Sequence, residues 1–359
     1  MDQLFANFHR ARVLIVGDVM VDEYLVGNAT RISPEAPVPV VEITGRRYAA
    51  GGAANVALNA VGLGAQVRLL GLVGNDRPAE LLGEILANSR IDPKTLLATN
   101  RPTTSKTRIM SGQQQIVRFD VEDRSALPIG TSAELLSRFG SLLSESDLCI
   151  ISDYGKGVVS SEFSHLAIQI ARKQNKPIIV DPKGRDYGKY MGCTVLTPNQ
   201  KEASLATGIP AETESDVLAT GKALVSALPG SSVLITRGPD GMTLFRPKAD
   251  PLTISTEAQT VFDVVGAGDT VIATLGVAIG ARLNLETAVR LSNIAAGIVV
   301  GKHGTVAVTR EELLASAKTS ISLRDALGAR LCAQSSAFIY STQSSGIDVP
   351  AGPEHLFAV

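Results

Sequence analysis

The chain has 359 residues, of which 45% are hydrophobic and 19% charged, so it is long enough to bury a sizeable core in one large domain or two smaller ones. This composition excludes a small disulfide scaffold, and 33 glycines with 17 prolines are too few for a low-complexity chain. The 34 lysines and arginines nearly balance the 35 aspartates and glutamates. The chain therefore lacks the overall basic field that binds nucleic acid or an anionic membrane, and any anion site must be local.

The cysteines, histidines and apolar stretches predict a soluble, cytoplasmic protein. Cys149, Cys193 and Cys332 are too widely spaced for a CxxC site, and their odd number does not indicate a disulfide framework. The four histidines never fall at the spacing of metal ligands, which argues against a zinc site. The first twelve residues carry charges of both signs and do not form a signal peptide. The longest uncharged stretch, residues 48–67, contains polar side chains and glycines that disfavour a membrane span.

Short runs rich in β-branched residues alternate along the chain with segments of helical periodicity. The predicted strands are Val13–Val16, Val67–Val73, Leu148–Ser152, Pro177–Asp181, Thr194–Thr197 and Val233–Thr236. The predicted helices are Asn55–Gly62, Pro78–Ala87, Ser161–Asn175, Glu214–Ala227, Asp269–Gly280 and Leu285–Val300. This alternation predicts an α/β fold with a doubly wound, mostly parallel sheet, in which ligands bind beyond the carboxyl ends of the strands.

Two polar segments break the alternation, Tyr24–Glu42 and Thr103–Asp120, the second with a turn at Ser111–Gln113. Both are typical of extended strands, and no predicted helix covers them. We interpret them as a small β-strand lid, within about residues 22–48 and 103–121, whose open face and edges should pair with a second subunit in a homodimer. The main domain is expected over residues 1–318, and residues 319–359 read as a loosely attached tail.

The segment DVVGAGDT, residues 263–270, is the strongest candidate for a catalytic loop. Its two glycines permit a tight turn with converging amides, and the apolar helix that follows adds the positive end of its dipole, which suits a phosphate or an oxyanion. Asp269 lies at the rim, where its carboxylate can accept a proton from an attacking hydroxyl while the Gly266–Gly268 amides stabilise a transferring phosphoryl group. The alternative is that Asp269 only caps the helix.

Candidate ligands for a sugar lie in two earlier segments. Gly51 and Gly52 open a predicted helix and let a ligand approach the backbone, while Asn55 on the first turn can donate to and accept from hydroxyls. A helix packed tightly on a sheet explains this cluster equally well. Asp18 and Asp22 follow the first strand at its carboxyl end, where carboxylates hold polyols, although one of them can equally be a turn former.

Charged segments follow four further strands, at residues 152–157, 181–184, 197–202 and 236–238. Because the ends of parallel strands share one edge of the sheet, these segments should lie together, although each one alone reads as a solvated loop. Lys156, Lys183 and Arg237 are candidate phosphate ligands, and Asn199 with Glu202 can hold the water shell of Mg²⁺. No glycine pair completes a dinucleotide fingerprint or a P-loop.

The glycine cluster at 51–55, Asn199-x-x-Glu202 and Asp263-x-x-Gly-Ala-Gly-Asp269 resemble, in order and interval, the ribokinase-like (PfkB-type) sugar kinases over about residues 10–315. The resemblance implies the ribokinase-like fold and ATP-dependent phosphorylation of a sugar hydroxyl with Mg²⁺. It implies that Asp269 is the base, that Gly266–Gly268 form the anion hole, and that the sugar contacts are Asp18, Gly51, Gly52 and Asn55. The nucleotide residues that it implies, the last four by position only, are Asn199, Glu202, Thr236, Arg237, Gly238, Asn293, Ala296, Gly297 and Val300.

A more specific resemblance is carried by RISPEAPVPV at 31–40, SDYGKG at 152–157 and DPKG at 181–184. These segments are similar to family members that phosphorylate O1 of D-glycero-β-D-manno-heptose 7-phosphate for ADP-heptose and lipopolysaccharide core synthesis. That substrate carries a distal phosphate, for which Lys156 and Lys183 are the first candidates. Many such relatives also carry a nucleotidyltransferase domain with a His-x-Gly-His motif, which this sequence lacks, so the stand-alone kinase form is expected.

Two alternatives remain open on the sequence. A kinase of the ribokinase or fructokinase type would use another sugar or nucleoside and would not need cations around a distal phosphate. A sensor of sugar or nucleotide without catalysis would tolerate loss of the base, but Asp269 is present. The fold alone does not decide between these functions.

Overall fold

The computed structural model describes residues 2–256, 261–302 and 306–320, so the predicted tail lies outside the described residues from residue 321 onward. The strands are β1 (Arg12–Gly17), β2 (Val19–Ile32), β3 (Pro39–Gly52), β4 (Gln66–Leu70), β5 (Leu72–Val73), β6 (Leu97–Ala98), β7 (Ser105–Ser111), β8 (Gln114–Val121), β9 (Leu148–Ser152), β10 (Ile178–Asp181), β11 (Val195–Leu196), β12 (Ser232–Thr236), β13 (Met242–Phe245) and β14 (Leu252–Ile254). The helices are α1 (Asp2–Phe5), α2 (Ala53–Gly62), α3 (Arg77–Asn88), α4 (Ile129–Ser144), α5 (Ser161–Lys173), α6 (Gln200–Thr207), α7 (Glu214–Ala227), α8 (Ala267–Gly280), α9 (Leu285–Val300) and α10 (Arg310–Thr319). Within these ranges, no helix is both long and apolar enough to span a bilayer.

The central sheet has the order β14-β13-β12-β11-β10-β9-β1-β4 in the described part of the chain. The strands from β4 to β12 pair in parallel, and β13 and β14 continue the sheet in antiparallel pairing. Val13 and Ile15 of β1 point into one apolar core, whereas Leu14 and Val16 point into another. Both faces are therefore covered, which confirms the predicted doubly wound α/β fold.

Helices form a layer on each face of this sheet. The core around Ile15 contains apolar side chains of α2, α3, α8, α9 and α10. The core around Leu14 contains those of α4, α5, α6 and α7. Helix α8 is buried along residues 269–278, because it lies directly on the sheet beneath its neighbours. Its amino end is thereby fixed at the carboxyl edge of the strands.

The second sheet is the predicted lid, and its order is β3-β2-β7-β8. Strands β2 and β3 form a long antiparallel hairpin, and β7 pairs in parallel with β2 and antiparallel with β8. The β7–β8 turn contains Gly112 at φ 59°, as the predicted turn requires. Val117, Phe119 and Val121 of β8 are between 46% and 50% exposed, so part of one lid face is apolar and uncovered in the single chain.

Some elements differ from the prediction. The predicted strand Val67–Val73 divides at Gly71, because β4 pairs with β1 whereas β5 pairs with β6 in a separate short sheet. The antiparallel strands β13 and β14 and the helices α4, α6 and α10 were not predicted. Helices α6 and α10 both begin with a capping box, Asn199 with Glu202 and Thr309 with Glu312, which is their local signal.

Candidate active site

The loop at residues 263–269 turns directly into helix α8. Gly266 is the N-cap residue with φ 83°, a left-handed conformation that glycine adopts without strain. Ala267 and Gly268 form the first turn, where helix amides lack partners within the helix. Asp269 is the third helical residue rather than the cap, and it is only 6% exposed. The N-cap alternative for Asp269 is therefore wrong.

Each oxygen of the Asp269 carboxylate accepts one hydrogen bond. The Tyr154 hydroxyl donates to Oδ1 at 2.6 Å, and the Asn55 side-chain amide donates to Oδ2 at 2.6 Å. Burial raises the pKa of Asp269 from 3.8 to about 6, the two hydrogen bonds oppose this rise, and the charge of Asp22 adds to it. Asp269 is thus mostly ionised at neutral pH and poised to accept a proton.

The Asn55 side chain, which was predicted to bind sugar hydroxyls, donates its hydrogen bond to Asp269 in this structure. It is buried on the first turns of α2, and its amide group faces Asp269. Asn59, one turn later, donates to the Asn55 backbone oxygen at 2.9 Å and accepts from the Thr270 hydroxyl at 2.8 Å. These contacts tie α2 to α8, so Asn55 positions the carboxylate of Asp269.

Asp18 anchors a loop rather than facing the cleft. Its carboxylate is 1% exposed and accepts the backbone N–H groups of Tyr154, Lys156 and Val158 at 2.9 to 3.1 Å. Both carboxylate oxygens accept hydrogen bonds within the protein, and Asp18 is not among the residues that line the polar cleft described below, so its predicted contact with a sugar stays a prediction. Asp22, on β2, accepts from Arg108 Nη1 of the lid at 2.5 Å and is close enough to Asp269 to raise its pKa.

Gly51 and Gly52 bring the end of β3 against the Asp22 carboxylate and the Asp18 backbone. A Cβ on Gly51 would lie 2.5 Å from Asp22 Oδ2, and one on Gly52, which has φ 56°, would lie 2.3 Å from the Asp18 backbone oxygen. Tight packing of β3 against β2 therefore accounts for both glycines, whereas the alternative placed the packing between a helix and a sheet. The packing also sets the distance between the lid base and α2.

The segments after successive strands meet around a cleft of about 240 Å³ in front of Asp269. This convergence is what the parallel sheet predicts. The residues that line the cleft include Asp153, Tyr154, Asp181, Lys183, Thr197, Asn199, Glu202, Thr236, Gly266, Gly268 and Asp269.

A second, mostly apolar cleft of about 620 Å³ adjoins the first and shares Asn199, Thr236 and Gly268 with it. Val261 and Val264 lie at this cleft with 59% and 67% exposure. An apolar slot beside a polar cleft suits a purine attached to phosphates. The residues predicted for the nucleotide that line this slot are Asn199, Thr236, Arg237, Gly238, Asn293, Ala296, Gly297 and Val300.

Asn199 and Glu202 have a structural role at the start of α6. The Asn199 side chain accepts from the Glu202 N–H at 2.9 Å, and Glu202 Oε2 accepts from the Asn199 N–H at 3.1 Å. Among the described residues, no three Asp, Glu, His or Cys side chains are arranged to hold a metal ion. Glu202 at the rim of the polar cleft nevertheless suits Mg²⁺, which keeps most of its water shell and binds largely through substrate phosphates.

The three predicted phosphate ligands do not share one site. Lys183 Nζ lies 2.8 Å from Glu202 Oε1 in the polar cleft. Lys156 pairs with Glu122 and lines a separate recess of about 20 Å³. The Arg237 guanidinium donates to Glu214 at 2.5 Å and to Thr243 at 3.2 Å, so it links α7 and β13, and Arg237 also lines the apolar slot.

Tyr154 and Asp181 are among the residues of the polar cleft that were not singled out from the sequence. Tyr154 lies in the SDYGKG segment, and its sequence neighbours do not indicate its partner. In the structure the loop is bound to Asp18, and the Tyr154 hydroxyl reaches Asp269 on α8. Asp181, at the end of β10, has its pKa raised well above its ordinary value by burial and by the charges of Asp269 and Glu202. Its position after a parallel strand is the signal that points to it.

This fold and site define a ribokinase-like phosphotransferase with an alcohol group as acceptor. The family model described as pfkB family carbohydrate kinase matches residues 10–312, and the chain belongs to that family.

Curated relatives that share more than 40% identity with this chain are named bifunctional protein HldE. The chain is 42% identical over 325 residues to bifunctional protein HldE of Rhodospirillum rubrum, covering 90% of this chain and 66% of the relative. It is 45% identical over 309 residues to bifunctional protein HldE of Gluconobacter oxydans, covering 86% of this chain and 64% of the relative. The chain thus spans less than two thirds of the length of these relatives.

Solved structures share the fold at low identity. Arabidopsis thaliana ribokinase, complexed with ribose and ATP, matches with a TM-score of 0.69 and 20% identity over 86% of this chain and 99% of that one. Phosphofructokinase-2 from Escherichia coli, in complex with potassium, matches with a TM-score of 0.71 and 19% identity over 85% of this chain and 97% of that one. Both confirm the ribokinase-like fold.

Proposed function

We propose that this sugar kinase transfers the γ-phosphoryl group of ATP to the anomeric O1 of D-glycero-β-D-manno-heptose 7-phosphate, forming the 1,7-bisphosphate for ADP-heptose and lipopolysaccharide core synthesis. The observation that carries the proposal is the ionisable Asp269 carboxylate, placed at the amino end of α8 where a polar cleft meets an apolar slot. The segments at 31–40, 152–157 and 181–184, which resemble heptose 7-phosphate kinases, and the similarity to proteins named HldE support the choice of sugar.

The residues around Asp269 account for the chemical step. Asp269 accepts the proton of the sugar hydroxyl as its oxygen attacks the γ-phosphorus of ATP. The amides at Gly266–Gly268, together with the positive end of α8, stabilise the negative charge on the transferring phosphoryl oxygens. Mg²⁺, held through water near Glu202, would neutralise phosphate charge. The leaving ADP remains in the apolar slot, whose wall includes Asn293 and Gly297.

A cluster of cations on one face of the lid supports a substrate with a distal phosphate. The strand registers place Tyr24 beside Arg47 and Arg108, and Arg108 beside Arg118. Arg47 and Arg108 both lie over the Tyr24 ring, at 4.5 and 5.2 Å from its centre. We call the set formed by Arg47, Lys106, Arg108 and Arg118 the lid cation cluster.

The lid cation cluster faces the reacting groups. Asp22 pairs with Arg108 and also raises the pKa of Asp269, so this lid face is turned toward the base. Asp120 pairs with Lys106 and Arg118. The four cations outnumber these two carboxylates, which leaves positive charge for a phosphate dianion. The cluster therefore replaces Lys156 and Lys183 as our first candidate for the distal phosphate site.

Product identification tests the proposal directly. The protein is incubated with ATP and Mg²⁺ and, in turn, with heptose 7-phosphate, unphosphorylated heptose, fructose, fructose 6-phosphate and ribose, and the products are identified by ³¹P and ¹³C NMR. We expect phosphorylation at O1 of heptose 7-phosphate with the highest kcat/KM. Equal kcat/KM with and without the 7-phosphate would instead favour a general sugar kinase of the ribokinase or fructokinase type. No turnover of any sugar would favour the sensor.

We also propose that the protein works in the cytoplasm, where ATP is available. The two cysteines among the described residues, Cys149 and Cys193, are unpaired and buried, and burial raises the pKa of both thiols. Buried, protonated thiols are unreactive, and a reducing compartment is where such unpaired cysteines commonly occur.

A further inference from the structure

Tyr154 is the one phenol in direct contact with Asp269 among the described residues, and its environment fixes its hydroxyl. It follows β9 in a loop whose backbone N–H groups bond to the buried Asp18 carboxylate. Asp153, the preceding residue, accepts from Lys189 and from the Tyr190 hydroxyl, both at 2.6 Å. The backbone of the loop is thus held from two sides, which fixes the point from which the Tyr154 side chain reaches Asp269.

The Tyr154 hydroxyl can act only as a donor toward Asp269. Burial and the nearby charges of Asp269 and Asp181 raise the pKa of Tyr154 well above its ordinary value, so the phenol stays protonated wherever the enzyme is folded and active. A neutral donor at 2.6 Å stabilises the ionised carboxylate more than the protonated one. The remaining lone pairs of the carboxylate stay available for a sugar hydroxyl.

Other charged groups around Asp269 act in the opposite direction. The charge of Asp22 from β2 raises the pKa of Asp269. Asp181 from β10, whose own pKa burial and the charge of Asp269 raise well above its ordinary value, lies in the same cleft, as does Glu202 from α6, which is paired with Lys183. Asn55 from α2 is the other donor, to Oδ2. Without the phenol, only one direct donor would offset burial and these carboxylates.

We propose that Tyr154 is a positioning residue for phosphoryl transfer, which holds Asp269 in one orientation and keeps it ionised through the hydrogen bond to Oδ1. This role deepens the proposed function, and its kinetic consequences rest on that function. It assigns the tyrosine of the SDYGKG segment to the base rather than to the sugar or the nucleotide. The consequence is a specific pH signature that a purely structural tyrosine would not produce.

The matched pair of variants is Tyr154→Phe and Tyr187→Phe. Each removes one phenolic oxygen and keeps the ring. The Tyr187 hydroxyl is buried and makes no hydrogen bond within the described residues, so its loss controls for the removal of a buried hydroxyl. Thermal unfolding of both variants checks that each remains folded.

Two measurements separate this inference from the proposed function. The first is a ¹³C NMR titration of the Asp269 carboxyl carbon without any substrate, assigned with Asp269→Asn. We expect its pKa to rise by about one unit in Tyr154→Phe and to stay at the wild-type value in Tyr187→Phe. The second is the pH profile of kcat/KM with heptose 7-phosphate, whose acid limb should move to higher pH by the same amount, with most of the rate recovered at alkaline pH.

Each outcome is decisive for one of the two ideas. An unchanged Asp269 titration in Tyr154→Phe, or a fall in rate that is equal at every pH, would overturn the role of Tyr154. A shifted titration in a protein that phosphorylates no sugar would leave Tyr154 as the residue that sets the charge of Asp269 and would overturn the proposed function instead.

Discussion

At the scale of single residues, the proposed activity depends on the Asp269 carboxylate, whose two oxygens each accept one hydrogen bond and keep a lone pair for a proton. We predict that Asp269→Asn lowers kcat by at least about a hundredfold, because the amide keeps the size of the side chain but cannot act as a base. ATP binding, measured by calorimetry, should be retained, since the apolar slot lies beside and not on Asp269. Near-native turnover in a variant with a normal circular dichroism spectrum would remove Asp269 from the mechanism.

The same residue predicts how stability depends on pH. The pKa of Asp269 is about 6 in the folded chain against an ordinary value of 3.8, so the folded state holds this proton more tightly than the unfolded chain does. Ionisation of Asp269 therefore opposes folding, with no effect below about pH 4 and the full effect above about pH 6. We expect the free energy of unfolding of Asp269→Asn, measured in urea relative to that of wild type, to increase by up to about 3 kcal/mol from pH 4 to pH 8. A difference that is the same at both pH values would contradict the burial argument.

A candidate site residue could be recognised from the sequence where the local backbone conformation requires a particular residue type. The GAGD pattern points to Asp269 because the left-handed turn at Gly266, which glycine adopts without strain, comes directly before the helix start. The roles of Asp18 and Asp22 could not be separated in advance. The two carboxylates are only four residues apart in the sequence, yet Asp18 binds the loop at Tyr154 whereas Asp22 binds Arg108 of the lid. Partners distant in sequence, such as Asn55 and Asp269, are set by the packing of α2 on α8 and have no local signal.

At the scale of elements, one face of the lid carries the lid cation cluster, and the other carries Val117 and Phe119. Arg46 and Arg47 are neighbours on β3 and point to opposite lid faces, so they form a matched pair. We predict that Arg47→Ala and Arg108→Ala lower kcat/KM for heptose 7-phosphate by about ten- to a hundredfold, as expected for losing one charge-assisted contact. Arg46→Ala should have little effect.

The same variants should also be assayed with unphosphorylated heptose, which completes a double-mutant cycle between the lid arginines and the 7-phosphate. Wild type should already use it poorly, and the arginine variants should be little worse, because the missing phosphate leaves the cations without a partner. Lys156→Ala and Lys183→Ala, tested in parallel, examine the ligands that the sequence first suggested. A selective loss confined to these lysines would return the distal phosphate to them and away from the lid cation cluster.

Elements with strong periodicity could be predicted, and those defined by their partners could not. The bounds of β9, α7 and α9 agree with the prediction, because each is a continuous apolar or amphipathic run between clear breaks. Strands β13 and β14 are short, and their antiparallel addition to the edge depends on the position of β12, which the sequence does not reveal. Strand β5 leaves the main sheet because its partner is β6.

At the scale of the whole molecule, the exposed lid face indicates how two chains would associate. Val117, Phe119 and Val121 lie in a row on one face of β8, each about half exposed. Apolar residues grouped in this way favour burial against another surface, and a second copy of the same lid offers a surface of the same kind. We therefore predict a homodimer formed through the lids.

The decisive variant for the dimer is Phe119→Glu, which places a charge at the centre of that row. Light scattering at micromolar concentration should give about twice 37.6 kDa for wild type and a value near 37.6 kDa for Phe119→Glu. Ile129→Glu is the control, because Ile129 is 90% exposed at the start of α4 and outside the lid, so its mass should equal that of wild type. A wild-type mass of one chain would disprove the lid dimer. In that case the apolar row on β8 would have to be covered from within the same chain, and Phe119→Glu would lower the stability of the monomer instead of changing its mass.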